Sequence, residues 1–333
     1  MGEPLAFVFP GQGSQSVGMG RAVYESSVQA RRTFEEADDV LGYPISRVMF
    51  EGPAERLDET ATAQPAILTA SIAILEALAE RTAALGRRIT EGAEPRGVAA
   101  LPVGIRPAYV AGHSLGEFSA LVAAGVLTFS EALRLVTERG RLAATKGARG
   151  SMAAIIGLSA DQVDAVIRES APDGSTVVAN DNGPSQVTIA GTVESIGRVC
   201  EALARAGAKK VVPLRISGPF HFPPMGRIGG DLREFMAGLR FRDPVVPVVA
   251  NVSGRPHSSA ETIPDALVRH LAQRVEWLRS VRSMREGGVT TFVEIGAGRV
   301  VSGLIKRIVD AKTLAISDPP SISDLVAKLR PAV

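Results

Sequence analysis

Cysteine and tryptophan each occur once in 333 residues, and aromatic residues make up only 5%. A single Cys200 excludes an internal disulfide and fits a reducing compartment. It lies in the helical pattern 195–206 with nothing beside it to lower its pKa, so it is expected to fill space rather than react. Neither sign of charge dominates: 37 Lys and Arg stand against 35 Asp and Glu, a formal net charge of +2. Scattered basic residues and few aromatics provide neither a phosphate-tracking surface nor a base-stacking platform, which argues against nucleic acid as a partner. The first five residues lack a basic segment followed by an apolar one, and Ala6 stands where a myristoylation signal needs Ser or Thr. No apolar run is expected to span a membrane. We therefore expect a soluble, cytoplasmic protein without a membrane partner, a metal site or a bound cofactor.

What is present is an apolar fraction of 45%, enough for a substantial core in one large domain or two. The stretch around which the chain is organised is Gly112-His113-Ser114-Leu115-Gly116-Glu117. Residues 107–111 read as a short buried strand, and 117–124 as a helix with Phe118, Leu121 and Val122 at helical spacing. Ser114 then sits on a strand-to-helix turn, and Gly112-x-Ser-x-Gly116 is the nucleophile-elbow pattern. Glycines on either side permit a tight turn that exposes the hydroxyl and aims the first helical N–H groups at it. A Gly-rich connection with a capping Ser has the same local pattern.

Residues 5–9 form a continuous apolar run, the kind of strand buried on both faces of a parallel sheet, and open into Pro10-Gly11-Gln12-Gly13-Ser14-Gln15. Such strand ends are where ligands bind. Helices are expected over 26–41, 64–83 and 128–145, with a surface excursion over 85–107. From 151 the pattern changes to strand 151–157, a capping box at Ser159 opening a helix to 170, strands 176–179 and 186–190 joined by Asn180–Gly183, helix 193–206 and strand 209–214. That order, βαββαβ, is the ferredoxin-like motif. Residues 150–215 are thus expected as an inserted subdomain, with 1–149 and 216–333 as the main α/β domain. The second part alternates helix 225–239, strand 245–250, helices 263–272 and 277–286, strand 290–295 and helix 300–309.

A serine hydroxyl needs a base within hydrogen-bonding reach, and there are four histidines. His113 adjoins Ser114 on a sharp turn, so its ring should point away. His257 lies in a polar stretch that reads as a solvated loop, and His270 on a helix surface or groove. His221, among Pro219, Phe220, Phe222 and Pro223, is expected to be half-buried and kept neutral, ready to accept a proton; a satisfied core histidine is the other reading.

Together these stretches resemble the malonyl-CoA:acyl-carrier-protein transacylases and the related acyltransferases of polyketide synthases. The resemblance is carried by 9–15, Gln64-Pro65-Ala66, 112–117, Arg139-Gly140, Phe220-His221, Glu294-Ile295-Gly296 and Gly303-Leu304, and so runs through nearly the whole chain. It implies an α/β-hydrolase-like domain with an inserted ferredoxin-like subdomain. It implies Ser114 as nucleophile, His221 as base, and Gln12 and Leu115 as the oxyanion-hole positions. Arg139 matches the arginine that pairs with the free malonyl carboxylate; alone it would read as a solvated helix residue. Gln64, His113 and Phe220 fall at substrate-binding positions, and the carbonyl of His270 at the one that orients the base. Phe220 before the histidine goes with malonyl rather than methylmalonyl, whereas Phe222-Pro223 departs from the family's smaller residues and is expected to narrow the pocket wall.

The implied reaction is ping-pong: malonyl passes from malonyl-CoA to Ser114, then to the phosphopantetheine thiol of an acyl carrier protein, in fatty-acid or polyketide synthesis. An acidic carrier is expected to meet Lys306 and Arg307, and the enzyme to be a free-standing monomer. A hydrolase using the same Ser–His pair is the alternative, and a non-catalytic docking subunit a third.

Overall fold

In the computed structural model, residues 4–83, 96–214 and 218–329 are described. Five parallel strands and one short antiparallel edge strand form the main sheet. They are β1 (Leu5–Phe9), β2 (Tyr109–Gly112), β7 (Val248–Ala250), β8 (Arg255–Pro256), β9 (Thr291–Ile295) and β10 (Lys312–Ile316), in the order β10-β9-β1-β2-β7-β8. The fully apolar β1 is central and paired on both sides, with Phe9 opposite Gly112 of β2 and Val8 opposite Glu294 of β9. Its side chains are buried on both faces, as a doubly covered parallel strand requires.

The second sheet comprises β3 (Ser151–Ile156), β4 (Thr176–Gly183), β5 (Gln186–Gly191) and β6 (Lys210–Pro213), in the order β4-β5-β3-β6 with antiparallel pairing throughout. Helices Ala160–Ser170 and Val193–Arg205 complete the βαββαβ order read from the sequence. The first of these is opened by the expected capping box, Ser159 with Gln162. Its own apolar cluster, including Ile155, Val163, Ile189 and Val199, is separate from that of the main sheet. Cys200 is half-buried against it.

Several expectations are corrected. The segment Asn180–Gly183 is not a connection: β4 runs through it to Gly183, with register irregularities between Val178 and Asn180 and between Asp181 and Gly183. Such irregularities re-aim side chains, and Asn180 and Asn182 gain a place at the site. The excursion 85–107 falls partly on 84–95, outside the described residues. Its remainder is core rather than surface, for Val98 and Leu101 are fully buried and Gly97 donates its N–H to the buried Glu76 Oε1 at 3.0 Å. A further strand, β10, and the helix Pro319–Leu329 were not foreseen.

Helix Thr60–Thr82 also overturns the expectation that no run could span a membrane. It has 23 residues, and an 18-residue window within it reaches a mean hydropathy of 1.4, long and apolar enough by composition. Here 94% of that window is buried and the helix packs against helices Val28–Leu41 and Phe129–Lys146, so its apolarity serves the core.

Candidate active site

The carboxyl ends of three neighbouring parallel strands converge. After β1 comes Gly11-Gln12-Gly13, after β2 His113-Ser114, and after β7 Asn251. Ends of adjacent parallel strands on one sheet edge leave a crevice that side chains can share. Glycine is required here by space: a Cβ on Gly112 would lie 1.8 Å from the backbone of Gly116, and one on Gly116 2.2 Å from the Phe9 carbonyl oxygen. With both positions bare, the β2 turn packs against β1 and helix Gly116–Ala123 starts at once.

Ser114 has φ 51° and His221 φ 60°, the only positive values among described non-glycine residues. Backbone in this region is unfavourable for residues with a Cβ and persists only where its surroundings hold it. Ser114 Oγ lies 2.8 Å from His221 Nε2, and His221 Nδ1 2.8 Å from the carbonyl oxygen of His270. The His221 amide donates to the Leu271 carbonyl at 3.0 Å. With Nδ1–H donated to that carbonyl, Nε2 is the free lone pair facing the hydroxyl. Burial, then the positive charge of Arg139, lowers the His221 pKa to about 3, so the ring is neutral and able to accept a proton.

Ser114 and His221 line a cavity of about 200 Å³ together with Gln12, His113 and Phe220. One wall comes from the small sheet, with Met152, Asn180, Asn182 and Thr188; another is Val300, Val301 and Leu304. The His113 ring is turned onto Asn182, Nε2 to Oδ1 2.6 Å, and packs edge-on against Trp277. The amide of Ser114 is already donated, to Asn251 Oδ1 at 2.9 Å. Those of Gln12 and Leu115 donate to no group of the chain among the described residues.

Arg139 and Gln64 do not line the cavity; Arg139 packs on Phe220, which does, and Gln64 is bonded to Arg139. Arg139, 1% exposed, donates from Nη1 to Gln64 Oε1 at 2.7 Å, and its guanidinium sits 4.2 Å from the centre of the Phe220 ring. Its Nε and Nη2, and Gln64 Nε2, are buried without partners among the described residues. Burial lowers the Arg139 pKa to about 9, which still leaves it charged near neutrality. A buried guanidinium with free donors is costly unless an anion arrives.

Phe222 corrects a second expectation. It is 2% exposed and belongs to the main core, outside the cavity wall, so it does not narrow the pocket. Nor are His257 and His270 on the surface: both are buried beside Glu117. Sequence reasoning missed Glu117, Asn180, Asn182 and Asn251 as residues of this region. The available signal for Asn251 was its position directly after an apolar run, at a strand's carboxyl end.

The three displaced histidines predict an acid response. His113, His221 and His270 are all lowered by burial first. Groups with folded values below their unfolded ones add stability that is full above about pH 6.5 and is lost as pH falls toward the folded values. The melting temperature should decline below pH 6.5, less steeply in His221→Asn than in the wild type. Parallel curves for the two proteins in calorimetry would refute this.

The acyl transferase domain family matches residues 6–88 and 100–326. Over 98% of its length the chain is 40% identical to the malonyl CoA-acyl carrier protein transacylase of Bacillus subtilis (strain 168), covering 97% of that protein. It is 41% identical to the Escherichia coli (strain K12) protein of the same name, with 95% and 96% of the two chains covered. Among solved structures, the acyl-carrier-protein S-malonyltransferase of Bartonella henselae superposes with a TM-score of 0.88 at 38% identity, over 98% of this chain and 99% of that one. A malonyl-transacylase in complex with its type II PKS acyl-carrier protein superposes with a TM-score of 0.87, also at 38% identity and over the same shares. The two-sheet frame and the length of the chain are thus shared with enzymes of one kind, and the chain belongs to the acyl transferase domain family, among the malonyl CoA-acyl carrier protein transacylases.

Proposed function

We propose that this enzyme transfers a malonyl group from malonyl-CoA to the phosphopantetheine thiol of an acyl carrier protein. The observation that carries the choice of acyl group is Arg139, a buried cation near the Ser114–His221 pair with two donor nitrogens unpartnered among the described residues. A carboxylate on the acyl group satisfies it, and an acetyl group does not. Phe220, over the guanidinium and at the cavity wall, crowds the α-carbon and favours malonyl over methylmalonyl.

In the first half-reaction Ser114 Oγ attacks the thioester carbonyl while its proton passes to His221 Nε2. The free amides of Gln12 and Leu115 are the donors for the oxyanion. The intermediate collapses, the C–S bond breaks, and His221 returns the proton to the departing thiolate of coenzyme A. In the second, the carrier's thiol gives its proton to His221, attacks the malonyl ester and takes the acyl group, and Ser114 recovers its proton. No cofactor of the protein's own is needed, since phosphopantetheine arrives on the partner.

The carrier's approach is supported by Lys306 and Arg307, exposed two and three residues beyond the cavity-lining Leu304. Their charge suits an acidic partner. We assign 150–215 as the inserted subdomain and 1–149 with 216–333 as the catalytic domain, acting as a monomer in the cytoplasm.

Intact-protein mass after brief incubation with malonyl-, methylmalonyl- and acetyl-CoA tests the reading. A malonyl adduct should dominate, discharge onto a phosphopantetheinylated carrier, and discharge more slowly from the Lys306→Glu/Arg307→Glu protein. Rapid release of free malonate without an adduct would point to a hydrolase instead.

A further inference from the structure

Beneath the turn that presents Ser114 lies a polar cluster to which the mechanism above assigns no part. Asn251, 1% exposed, holds the turn from both sides of the serine. Its Oδ1 accepts from the Ser114 amide at 2.9 Å, and its Nδ2 donates to the Gly112 carbonyl at 2.7 Å. The same Nδ2 donates to Glu117 Oε2 at 2.7 Å, and the Asn251 amide donates to that oxygen at 3.1 Å. Glu117, also 1% exposed, has its other oxygen 3.0 Å from His257 Nε2. Its Oε2 lies 3.9 Å from Nδ1 of His270. His270 in turn supplies the carbonyl that holds His221, and its ring packs 4.7 Å from the His221 ring.

We propose that Glu117 and Asn251 are positioning residues for acyl transfer, a buried carboxylate–amide brace that fixes the nucleophile turn and ties it to the segment orienting the base. The inference rests on the reading of Ser114 and His221 as nucleophile and base. Three observations carry it.

First, both reacting side chains hang from left-handed backbone, which needs external restraint, and the brace bonds directly to one and touches the residue that orients the other. Second, Glu117 lies on a helix otherwise buried through Phe118, Leu121 and Val122. Burying a carboxylate there is unfavourable for stability alone compared with an apolar residue of similar size, which leaves placement of the turn as its use. Third, the brace occupies the Ser114 amide, so the oxyanion must be met by Leu115 and Gln12. The turn's orientation decides whether the Leu115 amide points at the developing charge.

A brace that only places reacting atoms affects the chemical step and leaves substrate affinity nearly intact. Single-turnover loading with malonyl-CoA, followed by quenched intact-protein mass over a range of substrate concentrations, separates the two. Asn251→Ala should lower the maximal loading rate about 100-fold, with the half-saturating concentration changed by less than about twofold. Glu117→Gln, which keeps the volume but sets an N–H₂ against a donor, should slow loading about tenfold. Asn251→Asp opposes two carboxylates, and adding Glu117→Gln to it restores a donor to the pair. The double variant should load at least about tenfold faster than Asn251→Asp alone, a recovery that remains measurable even if Asn251→Ala folds poorly.

Variants that melt earlier yet load at the wild-type maximal rate would overturn the brace. So would a loss confined to the half-saturating concentration, or a double variant no faster than Asn251→Asp. A wild type that takes up no malonyl group would overturn the underlying reading, and that result needs no variant to be seen.

Discussion

Ser114→Ala acquires no acyl mass from malonyl-CoA, and its transfer rate falls by about 10⁶-fold, the scale seen when the nucleophile of a serine–histidine pair is removed. The expectation follows from geometry. The Oγ is 2.8 Å from a neutral imidazole whose other nitrogen is fixed by the His270 carbonyl, and no second hydroxyl among the described residues is bonded to that ring. Folding should be unaffected in the variant, because the turn is held through the Ser114 amide and the glycines around it, not through the hydroxyl. Intact mass and melting temperature measured on one preparation check both halves. An adduct that survives in Ser114→Ala would place the acyl group elsewhere on the chain.

The second large effect is a change in selectivity. Arg139→Ala should reduce malonyl loading by about 10- to 150-fold, the equivalent of losing a charge-assisted carboxylate pair of about 1.5–3 kcal/mol. Acetyl loading should remain within a few-fold of its starting value, since an acetyl group presents nothing to the guanidinium. The ratio of the two rates is the diagnostic quantity, because general damage to the site lowers both. The substitution also removes the buried positive charge that depresses the His221 pKa, so the base becomes stronger for the acyl groups that still bind. An equal fall in malonyl and acetyl loading would show that Arg139 supports the fold and does not select the acyl group.

The parts of this site differed in how far they could be read from the sequence, and the reason is distance along the chain. The nucleophile turn is local: Gly112 and Gly116 mark the tight approach within five residues, and the helix that follows has its own period. The βαββαβ order was readable for the same reason, since each element carries its own pattern and its capping residues. His221 was chosen from its apolar neighbours, which were expected to half-bury it; at 2% exposure it is buried more completely than that. Arg139 is different. Its helix neighbours include Glu138 and Arg141, which are an ordinary surface ion pair, and only the packing of Phe129–Lys146 against Thr60–Thr82 turns one arginine inward. No local property of residue 139 records that contact; resemblance to a family did.

The brace was invisible for a still plainer reason. Asn251 and Glu117 are separated by 134 residues, and Glu117 and His257 by 140, so neither spacing nor periodicity relates them. Treating 255–261 as a polar loop placed His257 in water, whereas its ring is 3% exposed. Phe222 failed in the opposite sense: its sequence neighbour His221 lines the cavity, but the following backbone carries the phenyl ring into the core. Adjacency in sequence to a site residue is weak information about which way a side chain points.

Helix Thr60–Thr82 also has a consequence for biosynthesis. The central strand β1 lies next to β9, which begins at Thr291, so the sheet the helix covers is incomplete until the chain is nearly finished. For most of translation, a helix holding an 18-residue window of membrane-like hydropathy has emerged without one layer of its eventual cover. During that interval it is a ready ligand for holdase chaperones and a nucleus for aggregation. Expression of this enzyme should therefore depend on chaperone capacity and growth temperature more than its melting temperature would suggest.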